Sequence, residues 1–252
     1  MRPDLIRDLF EKEERYWWHV SKREMVSSLL ADRKAKQNQG SIGLGLDVGC
    51  GTGYTATVFE SKWRMVGVDV SKDALQFCRR RGLTRLCQVD MAGFSLPFKN
   101  ESFDLVLALD VIEHVEDDIH ALAECRRILK VGGLLIVTVP AFMALWSPWD
   151  ESLGHKRRYT ATELVQASQK SGLVVKKSGY IFFFVFPAAI FIRNMKRLFQ
   201  KDAMSYSSDF MPLPRPLNSL LVQIGRLEQW AMTRLNLRFP FGLSVISVAV
   251  KE

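Results

Sequence analysis

Leu44-Gly45-Leu46-Asp47-Val48-Gly49-Cys50-Gly51-Thr52-Gly53 is an apolar run that dissolves into alternating glycines. Its first half reads as a buried strand. The glycines then let the backbone turn sharply and approach a ligand with no Cβ in the way. The turn opens a helical pattern, and a helix N-terminus offers free N–H groups and a positive dipole end. Tyr54 stands where the third glycine of a pyrophosphate-binding G-x-G-x-x-G turn could fall. The leading acid suits a zwitterionic amino-acid moiety instead: Asp47 can help hold an ammonium while the loop N–H groups face a carboxylate.

Outward from this turn, short apolar strands are predicted at Met65–Val68, Leu105–Leu109 and Leu134–Val139, with a weaker one at Leu86–Val89. Helical patterns lie between them at Lys72–Arg81 and Asp117–Leu129, the second closed by Gly132–Gly133. Strands alternating with helices predict an α/β fold, a mostly parallel sheet covered on both faces. In such sheets ligands lie beyond the carboxyl ends of the strands. Acids stand at those ends in order. Asp69 closes Val66-Gly67-Val68, about 20 positions after the glycine turn, placed to accept from ribose hydroxyls. Asp90 and Met91 follow the weak strand, and Leu109-Asp110 leads into Val111-Ile112-Glu113-His114.

The remaining sequence adds a helical lead-in with Tyr16, Trp17 and Trp18, a helix over Thr160–Ser171 and a strand over Leu173–Phe184. An amphipathic helix follows, with Leu217, Leu220, Leu221, Ile224, Leu227 and Ala231 on one face, and then a last strand at Leu243–Val250. Over 252 residues, 48% hydrophobic and 25% charged content is that of a folded chain and excludes disorder. Cys50, Cys78, Cys87 and Cys125 form no C-x-x-C pair, so neither a zinc site nor a disulfide framework is expected. No metal is expected elsewhere. Met1–Glu14 carries no apolar signal core, and the longest apolar run, Tyr180–Ile192, is shorter than the roughly 20 residues of a spanning helix. A cytoplasmic location is expected.

The glycine turn with Asp69, Asp90, Ser95-Leu96-Pro97-Phe98 and Asp110–Val115 resembles class I S-adenosylmethionine-dependent methyltransferases over roughly residues 40–140. Glu14–Arg23, Gly154–Tyr159 and Phe239–Ser244 resemble a bacterial subgroup whose acceptors are mostly uncharacterised. The resemblance implies a Rossmann-like, seven-stranded, mostly parallel sheet with helices on both faces. It also implies an N-terminal helical lid (1–40), a cofactor-binding core (41–140) and an acceptor loop, helix and sixth strand (141–182). A helical insert (183–240) and the last strand (241–252) complete a single domain. The implied cofactor is S-adenosyl-L-methionine, with Asp47, Gly49, Cys50, Gly51, Gly53, Asp69, Val70, Asp90, Met91 and Leu109 around it.

For the acceptor, His114 and His155 are the candidate catalytic groups. Trp146, Arg157, Arg158 and Tyr159, in the loop that carries His155, are the candidate substrate-binding residues. The arginines could clamp an anionic acceptor, or pair with Asp150 and Glu151 as scaffolding. The expected acceptor is a small molecule, a saccharide or a lipid-linked compound, methylated on oxygen. The aromatics and basic residues of 180–201 suggest peripheral contact with an anionic membrane; the competing reading is a buried strand running into a core helix. With no Asn/Asp-Pro-Pro-aromatic turn after the fourth strand and with dispersed basic residues, nucleic acid is not an expected substrate. The alternatives are a non-catalytic cofactor-binding relic or partner-binding protein of the same fold and a nicotinamide-dependent oxidoreductase, the latter disfavoured by the glycine spacing and by the absence of a Tyr-x-x-x-Lys pair.

Overall fold

In the computed structural model, residues 3–34, 42–89, 93, 95–199 and 213–252 are described. The chain starts with two helices, α1 (Pro3–Lys12) and α2 (Trp17–Lys34). Then come β1 (Leu44–Val48), α3 (Tyr54–Phe59), β2 (Arg64–Asp69), α4 (Lys72–Arg80) and β3 (Leu86–Gln88). The second half of the core is β4 (Phe103–Leu109), α5 (Asp118–Ile128) and β5 (Leu129–Pro140). It is followed by α6 (Pro148–Leu153), α7 (Ala161–Lys170), β6 (Val174–Ile181), α8 (Phe186–Phe199), α9 (Arg215–Arg234) and β7 (Ser244–Val250).

The seven strands form one sheet in the order β3-β2-β1-β4-β5-β7-β6. β7 runs antiparallel to both of its neighbours, and the other pairings are parallel. This is the Rossmann-like arrangement expected, and the order reverses at β1, so the crevice for a ligand opens between β1 and β4. Alternate side chains serve opposite faces. Leu46, Val48, Val106 and Ala108 pack with Leu122, Ile128 and Leu164 from α5 and α7. Leu105 and Leu107 face the other way, with Met25, Val26, Phe59 and Leu75 from α2, α3 and α4. Burial on both faces is why the strands read as continuous apolar runs rather than as alternation.

Local chemistry sets most element starts. Ser71 accepts the Ala74 N–H, Asp117 accepts the His120 N–H, and Thr160 forms a reciprocal capping box with Glu163. Each such cap contributes about 1 kcal/mol.

Three expectations are corrected. Gly132–Gly133 do not close α5, which ends at Ile128; they lie inside β5, where the pairing with β4 shifts from Phe103↔Leu129 to Leu105↔Leu134. The sixth strand stops at Ile181, short of Phe184, because Glu228 of α9 accepts the N–H groups of Phe182 and Phe183 and so ends the ladder. On α9, Leu217, Leu220 and Leu227 of the expected inner face are exposed. Ala231 of that face is buried, together with Val222 and Glu228 from outside it, and the helix is held against α2 by Asn218, which accepts the Trp17 N–H, and by an Arg226–Glu24 ion pair.

Candidate active site

The glycine turn sits between β1 and α3 with Gly49, Gly51 and Gly53 all at positive φ. At Gly49 a Cβ would also lie 2.5 Å from Val111 Cγ2, so conformation and space both require glycine there. The turn borders a cavity of about 460 Å³ lined by Asp47, Gly49, Cys50, Gly51, Asp69, Val70 and Leu109. Seven of the ten expected cofactor residues thus meet at one place. Gly53 lies behind the wall as the N-cap of α3, packed on Cys78 and Leu83. Asp90 and Met91 lie outside the described residues.

Four carboxyl groups line this cavity, and three of them, Asp47, Asp69 and Glu13, are raised above the ordinary carboxylate range. Asp47 is pushed up to about 8 by burial, with Glu13 and Asp69 adding to the effect. Burial likewise raises Asp69, opposed by the N–H groups of Ser71 and Gly51 that its two oxygens accept at 2.8 and 2.9 Å. Glu13 is raised by burial against hydrogen bonds from Thr52 and Tyr54 and the charge of Arg81. One Asp47 oxygen is buried with no hydrogen-bond partner among the described residues. A cavity that raises its acids and leaves a carboxylate oxygen open is suited to a cationic ligand. Glu13, Lys22 and Arg23, on or beside the N-terminal helices, complete the wall. They were not legible in the sequence, because nothing in a polar helix surface 24 to 34 positions upstream of Asp47 marks a pocket.

A second cavity of about 430 Å³ adjoins the first. Tyr16, Trp17 and Trp18 line it, with Trp149, Val185, Ala189 and Ile192 opposite and Leu217 and Leu221 of α9 closing one side. The N-terminal aromatics therefore border this second space, while α1 and the polar side of α2 cover the first. Trp18 stacks on Phe182 with ring centroids 4.1 Å apart, and Trp17 meets both rings edge-on. Asp110, Leu153 and His155 line both cavities and mark their junction.

At the junction the chain concentrates buried titratable groups. Asp110 ends β4 at φ 57, an uncommon backbone state for a non-glycine residue. Its carboxylate accepts from Lys22 and, at 3.0 Å, from the Thr138 hydroxyl. Burial would raise it, yet Lys22 holds it below the usual carboxylate range. Glu113 is fully buried and raised by burial and by Asp110. His114 and His155 meet edge to face with ring centroids 4.7 Å apart. Burial and then His155 bring His114 down to about 4, so it is neutral near pH 7. His155 Nδ1 lies 2.8 Å from Asp150 Oδ1, which leaves Nε2 turned towards Glu113.

Of the four residues expected to bind the acceptor, Arg158 lines the second cavity, and Trp146, Arg157 and Tyr159 line neither. Arg158 is buried and grips Asp150 with both arms of its guanidinium, at 2.8 and 2.9 Å, and Ala141 O at 3.1 Å. It borders the second cavity, but the scaffolding alternative is the one realised. Arg157 pairs with Asp118 and the Glu116 carbonyl, outside both cavities. Tyr159 is buried and donates to Asp118 at 2.8 Å; burial and that carboxylate raise its phenol. Trp146 donates to Glu151, and Trp149 is the loop tryptophan that reaches the cavity. Trp149 lies on α6 whereas Trp146 precedes it, a difference of placement that spacing does not reveal.

In 180–201, Phe184, Phe191 and Ile192 are exposed, whereas Arg193 donates inward to Leu145 O at 2.6 Å. The side chains of Lys196, Arg197 and Lys201 lie outside the described residues. No helix among the described residues is long and apolar enough to cross a membrane.

Residues 46–137 match the family model described as a methyltransferase domain. A Mycolicibacterium smegmatis protein described as a probable S-adenosylmethionine-dependent methyltransferase is 30% identical over 176 residues, 68% of this chain and 64% of its own length. An uncharacterised Methanocaldococcus jannaschii protein is 37% identical over 97 residues, 38% and 44% of the two chains. The chain thus spans less than two thirds of the length of these relatives. Among solved structures, an S-adenosylmethionine-dependent methyltransferase from Thermotoga maritima superposes with a TM-score of 0.56 at 23% identity, covering 98% of this chain and 97% of that one. A Haemonchus contortus phosphoethanolamine N-methyltransferase in complex with S-adenosyl-L-methionine gives 0.53 at 16% identity, covering 98% and 60%. Residues 46–137 are thus similar in sequence to a methyltransferase domain, and these solved structures share the fold.

Proposed function

We propose that this chain is an S-adenosylmethionine-dependent methyltransferase acting on an oxygen of a small-molecule, saccharide or lipid-linked acceptor. The observation that carries the reading is that a glycine-lined, acid-rich cavity and an aromatic cavity meet at Asp110 and His155. The first fits the donor: Asp47 has an open buried oxygen for an ammonium, the loop at Gly49 and Gly51 exposes backbone, and Asp69 faces the space a ribose would take. Bound there, the cofactor supplies a methyl group activated on a sulfonium. The chain contributes alignment and exclusion of water, since an in-line displacement needs little else. Trp17, Trp18 and Trp149 would hold an apolar or sugar-faced acceptor, and His114 and His155 would contact its attacking oxygen.

In this proposal residues 1–40 are the lid, 41–140 the donor site, 141–182 and 183–240 the acceptor walls, and 241–252 the closing strand of one domain. Asp90 and Met91 are its adenine contacts and Val70 and Leu109 its flanking walls. The location is cytoplasmic, with a peripheral seat on anionic membrane through 180–201.

Calorimetric titration with S-adenosylmethionine, S-adenosylhomocysteine and NAD(H) tests it. The first two should bind and the third should not. Asp69→Ala removes a carboxylate expected to accept two ribose hydroxyls at about 1.5–3 kcal/mol each, a loss of at least about 100-fold in affinity. His155→Ala should spare binding and impair turnover. Binding of NAD(H) alone, or near-normal affinity in Asp69→Ala, overturns the assignment.

A further inference from the structure

Glu113, His114 and His155 each offer one ligand atom, and these atoms lie within 4.8 Å of one another at the junction of the two cavities. We propose that the three side chains bind a divalent transition-metal cation, with an open coordination position facing the acceptor; that last clause rests on the methyltransferase reading.

The strongest sign is Glu113. It is 0% exposed, and neither carboxylate oxygen has a hydrogen-bond partner among the described residues. A buried carboxylate left so is costly unless a cation or a proton meets it. The charge of Lys22 favours the Glu113 carboxylate, but its ammonium is hydrogen-bonded to Asp110 instead.

The histidines are oriented as metal ligands are. His155 Nδ1 is held by Asp150 at 2.8 Å, and Asp150 is itself fixed by Arg158 and by the Ser147 N–H. This carboxylate–histidine pairing leaves Nε2 as the ligating atom, 3.9 Å from Glu113 Oε1. His114 packs edge to face against His155, with ring centroids 4.7 Å apart. Two ligands at about 2.0–2.2 Å from one ion stand about 3–4 Å apart, so closure asks for side-chain movements of less than about 1 Å. Two imidazoles and one carboxylate favour Zn²⁺, Co²⁺ or Fe²⁺ over Mg²⁺ or Ca²⁺. Three protein ligands beside a cavity match a catalytic rather than a closed structural site. An acceptor hydroxyl in the open position would be polarised at the point of methyl transfer. Sequence spacing gives no hint of the site, because His155 lies 41 positions beyond His114 and no paired-histidine motif links them.

The test uses the full chain, stripped with a chelator and titrated with Co²⁺ by visible absorption, with S-adenosylhomocysteine calorimetry on the same preparations. We expect one Co²⁺ per chain and ligand-field bands that report nitrogen ligation. Glu113→Gln and His155→Gln should abolish these bands, and Asp150→Asn should weaken binding about 10- to 100-fold. His114→Gln, at a partly exposed position, replaces them if the buried variants fail to fold, and should also lose the bands. Failure of the wild type to bind Co²⁺ stoichiometrically, or binding unchanged in folded variants, overturns the site. S-adenosylhomocysteine binding without Co²⁺ binding overturns the metal site alone. Co²⁺ binding without S-adenosylhomocysteine binding supports the metal site and overturns the methyltransferase reading.

Discussion

Replacing Glu228 by Gln sets two opposing effects on one carboxyl group against each other. Glu228 is 3% exposed on α9 and accepts the N–H groups of Phe182 and Phe183, with Phe184 at 3.5 Å. Those N–H groups favour the charged form, while burial favours the neutral one. Burial wins, and the carboxyl is pushed up from 4.5 to about 7. Between those values the folded chain holds a proton that the unfolded chain has released, so this group's contribution to stability falls as pH rises through the window and is level above it. A shift of that size amounts to about 3 kcal/mol. At about 2–4 °C per kcal/mol for a chain of this length, that is a change of about 6–12 °C in Tm. Thermal melts of wild type and Glu228→Gln from pH 4.5 to 8 isolate the term, because other titrating groups cancel in the difference. The wild type should lose about 3 kcal/mol relative to the variant between pH 4.5 and 7. A difference that is flat with pH, or one in which the wild type gains as pH rises, would refute the reasoning and show that the three donors outweigh desolvation.

Arg158→Met should destabilise the fold by about 3–5 kcal/mol, since it leaves the Asp150 carboxylate buried without its cation. Urea denaturation measures this, and a loss under about 1 kcal/mol would mean that water reaches Asp150. On the membrane side, the full chain should co-float with vesicles rich in anionic lipid at low salt, and Phe191→Glu should reduce the bound fraction. No co-flotation at low salt would remove the membrane seat from the proposal.

The sheet and the glycine-turn cavity were legible in the sequence alone. Both are local: a strand buried on two faces must be a continuous apolar run, and a turn with three positive-φ positions must be glycine-rich, so Leu44–Gly53 and Asp69 were legible from spacing alone. Local patterning failed where a distant side chain decided the outcome. Glu228 ended β6 from 45 positions away, and the buried side of α9 followed its contacts with α2 rather than its own apolar stripe. The aromatic cavity depended on tertiary structure throughout. Arg158 and Tyr159 looked available for substrate in the sequence, but burial of Asp150 and the position of Asp118 engaged them within the protein. Conversely, Glu13, Lys22 and Trp149 join the cavities only because α1, α2 and α6 fold over the carboxyl ends of the strands. Which polar side chains are used up internally and which remain facing a cavity depends on desolvation and long-range hydrogen bonding. Those quantities exist only once the chain is folded.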